Sequence, residues 1–133
     1  MENTHFNVSM WFEIYVQDMD RAQRFYEEVL QIKMTPMSDP TDESMKMVGF
    51  PSPNSMEKMF PGSSGSLVQM HGVPSGGNST IVYFGCEDCS VEEARVENAG
   101  GKIFKPKMSI GEYGFMSLVT DTEGNMIGLH SMK

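Results

Sequence analysis

The sequence predicts an α+β domain made of two tandem βαβββ modules that form a cup-shaped mixed β-sheet with the helices outside. Three observations carry this. Residues 11–18 (WFEIYVQD) recur in kind at residues 81–88 (IVYFGCED), 70 positions on, each an alternating apolar segment ending in Asp. Each segment then enters a helix-opening pattern. Each half also closes on a similar strand, with VQMH at 68–71 lying over IGLH at 127–130. Self-similarity of this kind marks a repeated supersecondary unit.

The first strand alternates. Val8, Met10, Phe12, Ile14 and Val16 make an apolar face for the first helix, and Trp11, Glu13 and Tyr15 lie opposite. Asp20 with Gln23 three residues on reads as a capping box opening that helix. Ala22, Phe25, Tyr26, Val29 and Leu30 give it one stripe at helical spacing. Strands are expected near 32–37, 45–50 and 66–71, with a Pro/Ser/Gly-rich loop at 51–65 and a linker at 73–78 (VPSGGN). In the second half Val82, Phe84 and Cys86 face the helix, and Ile81 and Tyr83 lie opposite. Ser90 with Glu93 opens the second helix, which stops at Gly100-Gly101. Strands follow near 102–106, 115–120 and 125–131, the last two joined by DTEGN at 121–125. In the closing strands Val68, Met70, Ile127 and Leu129 point to the helices, and Gln69, His71, Gly128 and His130 point away. The single domain covers 1–133, with modules of about 8–72 and 79–132.

Composition narrows the function. A net charge of −8 over 133 residues argues against a nucleic-acid binder, which needs clustered Lys and Arg. No apolar run is long enough to span a bilayer, and the N-terminus has no apolar signal region, so no membrane partner and a cytoplasmic location are expected. Cys86 and Cys89 form a C-x-x-C without the further ligands of a structural zinc site, and Cys86 reads as core. The fourteen methionines are scattered and read as core filling. His5 reads as a solvated tail residue, and Phe50, Phe60 and Tyr113 as ordinary core or loop aromatics. The strand faces turned from the helices mix aromatic and polar groups, the usual lining of a small-molecule site. Trp11, Tyr15, Gln69, His71, Tyr83 and Phe115 are the expected substrate-binding residues.

Two stretches resemble the vicinal oxygen chelate superfamily, which includes glyoxalases, bleomycin-resistance proteins and extradiol dioxygenases. One is EIYVQDMDRAQRFYEEVL at 13–30, with D-x-x-R-A-x-x-F-Y at its centre; the other is DTEGNMIGLHS at 121–131. Residues 100–114 (GGKIFKPKMSIGEYG) are similar to the glyoxalase-related branch. The resemblance implies the glyoxalase/bleomycin-resistance fold, a small-molecule ligand and a homodimer. It also implies a metal ligand on the first and last strands of each half. Those positions carry Trp11, Gln69, Ile81 and Gly128, a set that does not hold a divalent ion and that speaks against glyoxalase I activity. No cofactor is assigned at those family positions.

Two residues further along each strand, Glu13, His71, Tyr83 and His130 share the same face. Glu13, His71 and His130 together have the ligand types of a displaced divalent-metal site. Without metal, Glu13 and His130 are a candidate acid–base pair. The leading expectation is therefore a glyoxalase-related enzyme, in the lyase sense, acting on a small organic molecule in the cup. The alternative is a metal-free protein that sequesters a drug or metabolite, and a sensor module is a third reading.

Overall fold

The computed structural model describes residues 8–38, 44–52 and 62–133; His5 and Phe60 lie outside them. In chain order the elements are β1 (Trp11–Tyr15), α1 (Met19–Leu30), β2 (Thr35–Met37), β3 (Lys46–Gly49) and β4 (Ser64–Gln69), then β5 (Tyr83–Gly85), α2 (Cys89–Val96), β6 (Lys102–Ser109), β7 (Phe115–Thr120) and β8 (Met126–Ser131). A single 3-10 turn, Gly111–Tyr113, precedes β7. The described strands form two four-stranded sheets, ordered β1-β4-β3-β2 and β5-β8-β7-β6. In each, the first and last strands run parallel and the others antiparallel. The architecture is the expected α+β repeat.

Both helices start two residues earlier than the capping-box pattern placed them. Asp18, extended at φ −136°, accepts from the Arg21 N–H, so Asp20 is already inside the first turn. Asp88, at φ −144°, accepts from the N–H and hydroxyl of Ser90. The Asp that ends each repeated segment is thus the cap itself. Hydrogen bonds from Ser90 and Lys107 hold the Asp88 carboxyl down at about 2. The stripe on α1 is as read: Ala22, Phe25, Tyr26 and Val29 are buried, joined by Met19.

The core is shared between the halves. Tyr26 stacks edge-on to Phe25 and Phe50, with centroids 5.0 and 5.4 Å away, and lies 5.9 Å from Phe84 of the second module. Phe12 reaches Phe50 at 5.5 Å and Phe84 at 6.1 Å. Val8 and Met10 precede β1 and are exposed, so its apolar face begins at Phe12.

In β4 the faces are the reverse of the expectation. Ile14 lies beside Leu67 and Tyr15 beside Val68, so Leu67 and Gln69 point to the helices while Val68 points away. Gln69 Oε1 accepts from the Met19 N–H at 2.8 Å, and Ser131 Oγ accepts from the Cys89 N–H at 3.0 Å. These two side chains do the same work, each tying the start of its module's helix to its own last strand. The true offset between the closing strands is therefore 62, not 59. His71 falls two residues beyond β4 and is no counterpart of His130; Val68 is.

Phe115 is also on the helix side. It pairs in register with Ser131, packs against the core, and carries Lys107 Nζ 4.7 Å above its ring. Strand β6 runs past the expected end to Ser109, with register shifts on both sides of Lys105 that accommodate Pro106.

Candidate functional site

The two family-like motifs meet each other. Arg21 donates twice to Glu123, from Nε at 2.7 Å and Nη2 at 2.9 Å. The same carboxylate accepts from the backbone N–H groups of Gln17 and Asp18, at 2.8 and 3.0 Å, and so holds the entry to α1 from the other module. Tyr26 donates to Asp121 Oδ2 at 2.6 Å, while Asp121 Oδ1 accepts from the N–H groups of Glu123 and Asn125. Asn125 donates to the Tyr15 carbonyl and accepts from the Gly76 N–H in the linker. Burial and then the Asp121 charge push the Tyr26 hydroxyl well above its usual range, so it remains a donor. These motif residues are the joint between halves, and of them Asn125 also reaches the cleft beside Glu13 and Tyr15.

Burial alone would raise the Glu123 pKa, but bonds from Arg21, Thr122, Gln17 and Asp18 outweigh it and hold the carboxyl at about 2, below the ordinary 4.5. The sign follows from linkage. Its contribution to stability is complete above about pH 4.5 and is lost as pH falls through 2. Urea midpoints measured from pH 6 to pH 2.5 should therefore fall more steeply for the native chain than for Glu123→Gln. Parallel profiles would show that the carboxylate gains nothing from its ionised state.

On the faces turned from the helices, Trp11, Glu13 and Tyr15 stand in a row. Glu13 Oε2 accepts from Trp11 Nε1 at 3.1 Å and Oε1 accepts from the Tyr15 hydroxyl at 2.9 Å. The bond to Glu13 is the chief cause of a raised Tyr15 pKa, so the phenol stays a donor. Ser66 lies beside Glu13 in the β1–β4 register and is fully buried, with a hydroxyl that has no partner among the described residues. A cleft of about 440 Å³ opens against Glu13 and Tyr15, with Ser75, Asn78 and Thr80 of the connection between modules on its far wall.

In the second sheet, Tyr83 covers Gly128, where any Cβ would overlap the phenol ring. His130 Nε2 lies 2.6 Å from the Tyr113 carbonyl. A carbonyl only accepts, so Nε2 carries a proton in this contact. No hydrogen bond joins His130 to Glu13: each is committed to other partners. His71 is exposed, at a separate cleft with Gln17, Lys46 and Gln69.

The residues do not fit a divalent metal. Among the described residues, no three His, Cys, Asp or Glu side chains converge to hold one. The Glu13–His71–His130 set fails because the offset of 62 takes His71 out of the strand. At the family positions, Trp11 and Ile81 are exposed non-ligands, Gly128 has no side chain, and the Gln69 oxygen is engaged by the Met19 N–H. Sequence reasoning brought Trp11, Glu13 and Tyr15 to one face, and the structure adds that they bond to one another. It missed Ser66 and Asn78, whose only signal was their position in strand and linker.

Residues 9–50 match the family model described as bleomycin resistance protein-like N-terminal, a span that runs from just before β1 through β3. No curated protein sequence matches the chain. Among solved structures, glyoxalase I from Zea mays shares the fold with a TM-score of 0.70 at 21% identity, over 92% of this chain and 45% of that chain. This chain thus spans about half the length of the maize enzyme. The trypanothione-dependent glyoxalase I of Leishmania major gives 0.65 at 24% identity, over 95% of this chain and 87% of its own. A glyoxylase/bleomycin resistance protein/dioxygenase domain from Frankia gives 0.65 at 17% identity, over 96% and 98%. At these identities the structural likeness is one of fold. The N-terminal match and the shared fold both agree with the resemblance that the motifs carry.

Proposed function

We propose that this vicinal oxygen chelate protein sequesters a cationic, partly aromatic small molecule at the open face of β1. The observation that carries this is the Glu13 carboxylate set between Trp11 and Tyr15. Each carboxylate oxygen accepts one of these bonds and keeps a lone pair for a ligand donor. The flanking rings offer faces that attract a cation. The net charge of −8 steers cations toward the protein. Acid–base turnover by Glu13 and His130 would need the two within reach of one substrate, and no hydrogen bond joins them: Glu13 bonds to Trp11 and Tyr15, and His130 to the Tyr113 carbonyl.

Trp11 is the only tryptophan and is 45% exposed, so its fluorescence reports on this face directly. Bleomycin, the compound in the matched family's name, and benzylammonium are the probes. Saturable quenching is expected, weakened about tenfold in Glu13→Gln and further by salt. Equal affinity in the variant, or no saturable quenching, would sink the reading. Recovery of chemically unchanged ligand is expected, and conversion would restore the lyase reading. A second copy over the exposed Trp11, Met37, Tyr83 and Met108 would close the cleft, and sedimentation should then give a dimer mass.

A further inference from the structure

The geometry points to a second ligand site, on the helix side of the seam between β1 and β5, that takes a primary ammonium carried on an apolar body. A cleft of about 340 Å³ lies there, walled by Phe12, Leu30, Ile32, Phe50, Val82 and Phe84. Its size and apolar wall suit a small organic ligand. Among the described residues one charged group reaches it: Glu92, in the first turn of α2.

Glu92 Oε1 is closed off from solvent and accepts no hydrogen bond from the described residues. A buried acceptor left in that state is unfavourable, and a carboxylate oxygen more so. The helix dipole favours an acid in this turn, but a dipole does not fill a lone pair. Among the described residues no cation forms an ion pair with Glu92. Lys107 is paired with Asp88, and Arg95 donates to the Val29 carbonyl. The neighbouring Cys86 thiol is pushed up to about 12, first by burial, then by the Glu92 charge and by a weak thiol contact to the Glu92 carboxylate, so it stays neutral and brings no positive charge. An ammonium group would supply both the missing donor and the missing charge, while its hydrocarbon body covers the phenylalanines.

This site shares no charged group with the one at Glu13, which permits a clean test. In a Glu13→Gln background, 4-phenylbutylammonium is titrated by calorimetry. Binding at one site is expected. It should weaken tenfold or more in Glu13→Gln/Glu92→Gln, and by a similar factor when 4-phenylbutanol replaces the ammonium. Undiminished binding in the double variant, equal binding of the alcohol, or no binding of the ammonium would each overturn the assignment. A second readout needs no ligand. Glu92→Gln alone should melt higher than the native chain, because it removes the charge from a half-buried carboxylate whose Oε1 is closed off without a donor. A lower melting temperature would show that the carboxylate is already satisfied and would overturn the site as well.

Discussion

Glu123→Ala should cost about 3–5 kcal/mol of folding stability, the range for stripping one partner from a buried charged network. The carboxylate is fully buried at its side chain and gathers bonds from Gln17, Asp18, Arg21 and Thr122. Alanine would leave the two backbone N–H groups at the entry to α1 without an acceptor. With a urea slope of about 2 kcal/mol per M, the midpoint should drop by about 2 M at unchanged slope. Arg21→Ala should cost less, about 1 kcal/mol, because that side chain is 46% exposed and water can replace its partner. A loss below about 1 kcal/mol for Glu123→Ala would mean that the apolar core alone holds the modules together.

Tyr26→Ala should be comparably severe, at about 3–5 kcal/mol. The ring is fully buried and touches the aromatic groups Phe25, Phe50 and Phe84 from both modules. Removing it opens a cavity that those neighbours close only in part. A melting temperature lower by about 10–15 °C is expected for a chain of this length. Tyr26→Phe separates packing from polarity. It keeps the ring and loses only the bond to Asp121, whose Oδ2 still accepts from Asn125 at 3.1 Å. A cost near 1 kcal/mol should follow. A Tyr26→Phe loss as large as that of alanine would place the weight of the joint on the hydroxyl.

The repeat, the helix stripe and the faces of β1 were legible because period and polarity alone determine them: Phe12, Ile14 and Val16 turn inward, and Trp11, Glu13 and Tyr15 turn outward, as the alternation requires. The register of β4 was not legible. Matching His71 to His130 followed shared identity, whereas the chain repeats a task with different residues, Gln69 in one half and Ser131 in the other. An amide oxygen and a hydroxyl both accept an N–H, so the task leaves no common letter in the sequence. That three-residue error put Gln69 and His71 in the ligand face and suggested a metal set that does not assemble. Phe115 was misplaced because aromatic character says nothing of which face a residue takes. The D-x-x-R-A-x-x-F-Y and D-x-x-G-N stretches were visible as separate motifs, but only their contact shows why Arg21 needs Glu123 and Tyr26 needs Asp121.

The hold of Glu123 on the start of α1 also orders events during synthesis. Met19–Leu30 leaves the ribosome long before residue 123 is translated. Until then the N–H groups of Gln17 and Asp18 and the guanidinium of Arg21 have only water, and Tyr26 lacks both Asp121 and Phe84. A chain released after residue 110 should therefore carry a loosely held first helix, open to protease, while one released after residue 133 should be protected. The turn between β7 and β8 thus sets the moment at which α1 becomes fixed.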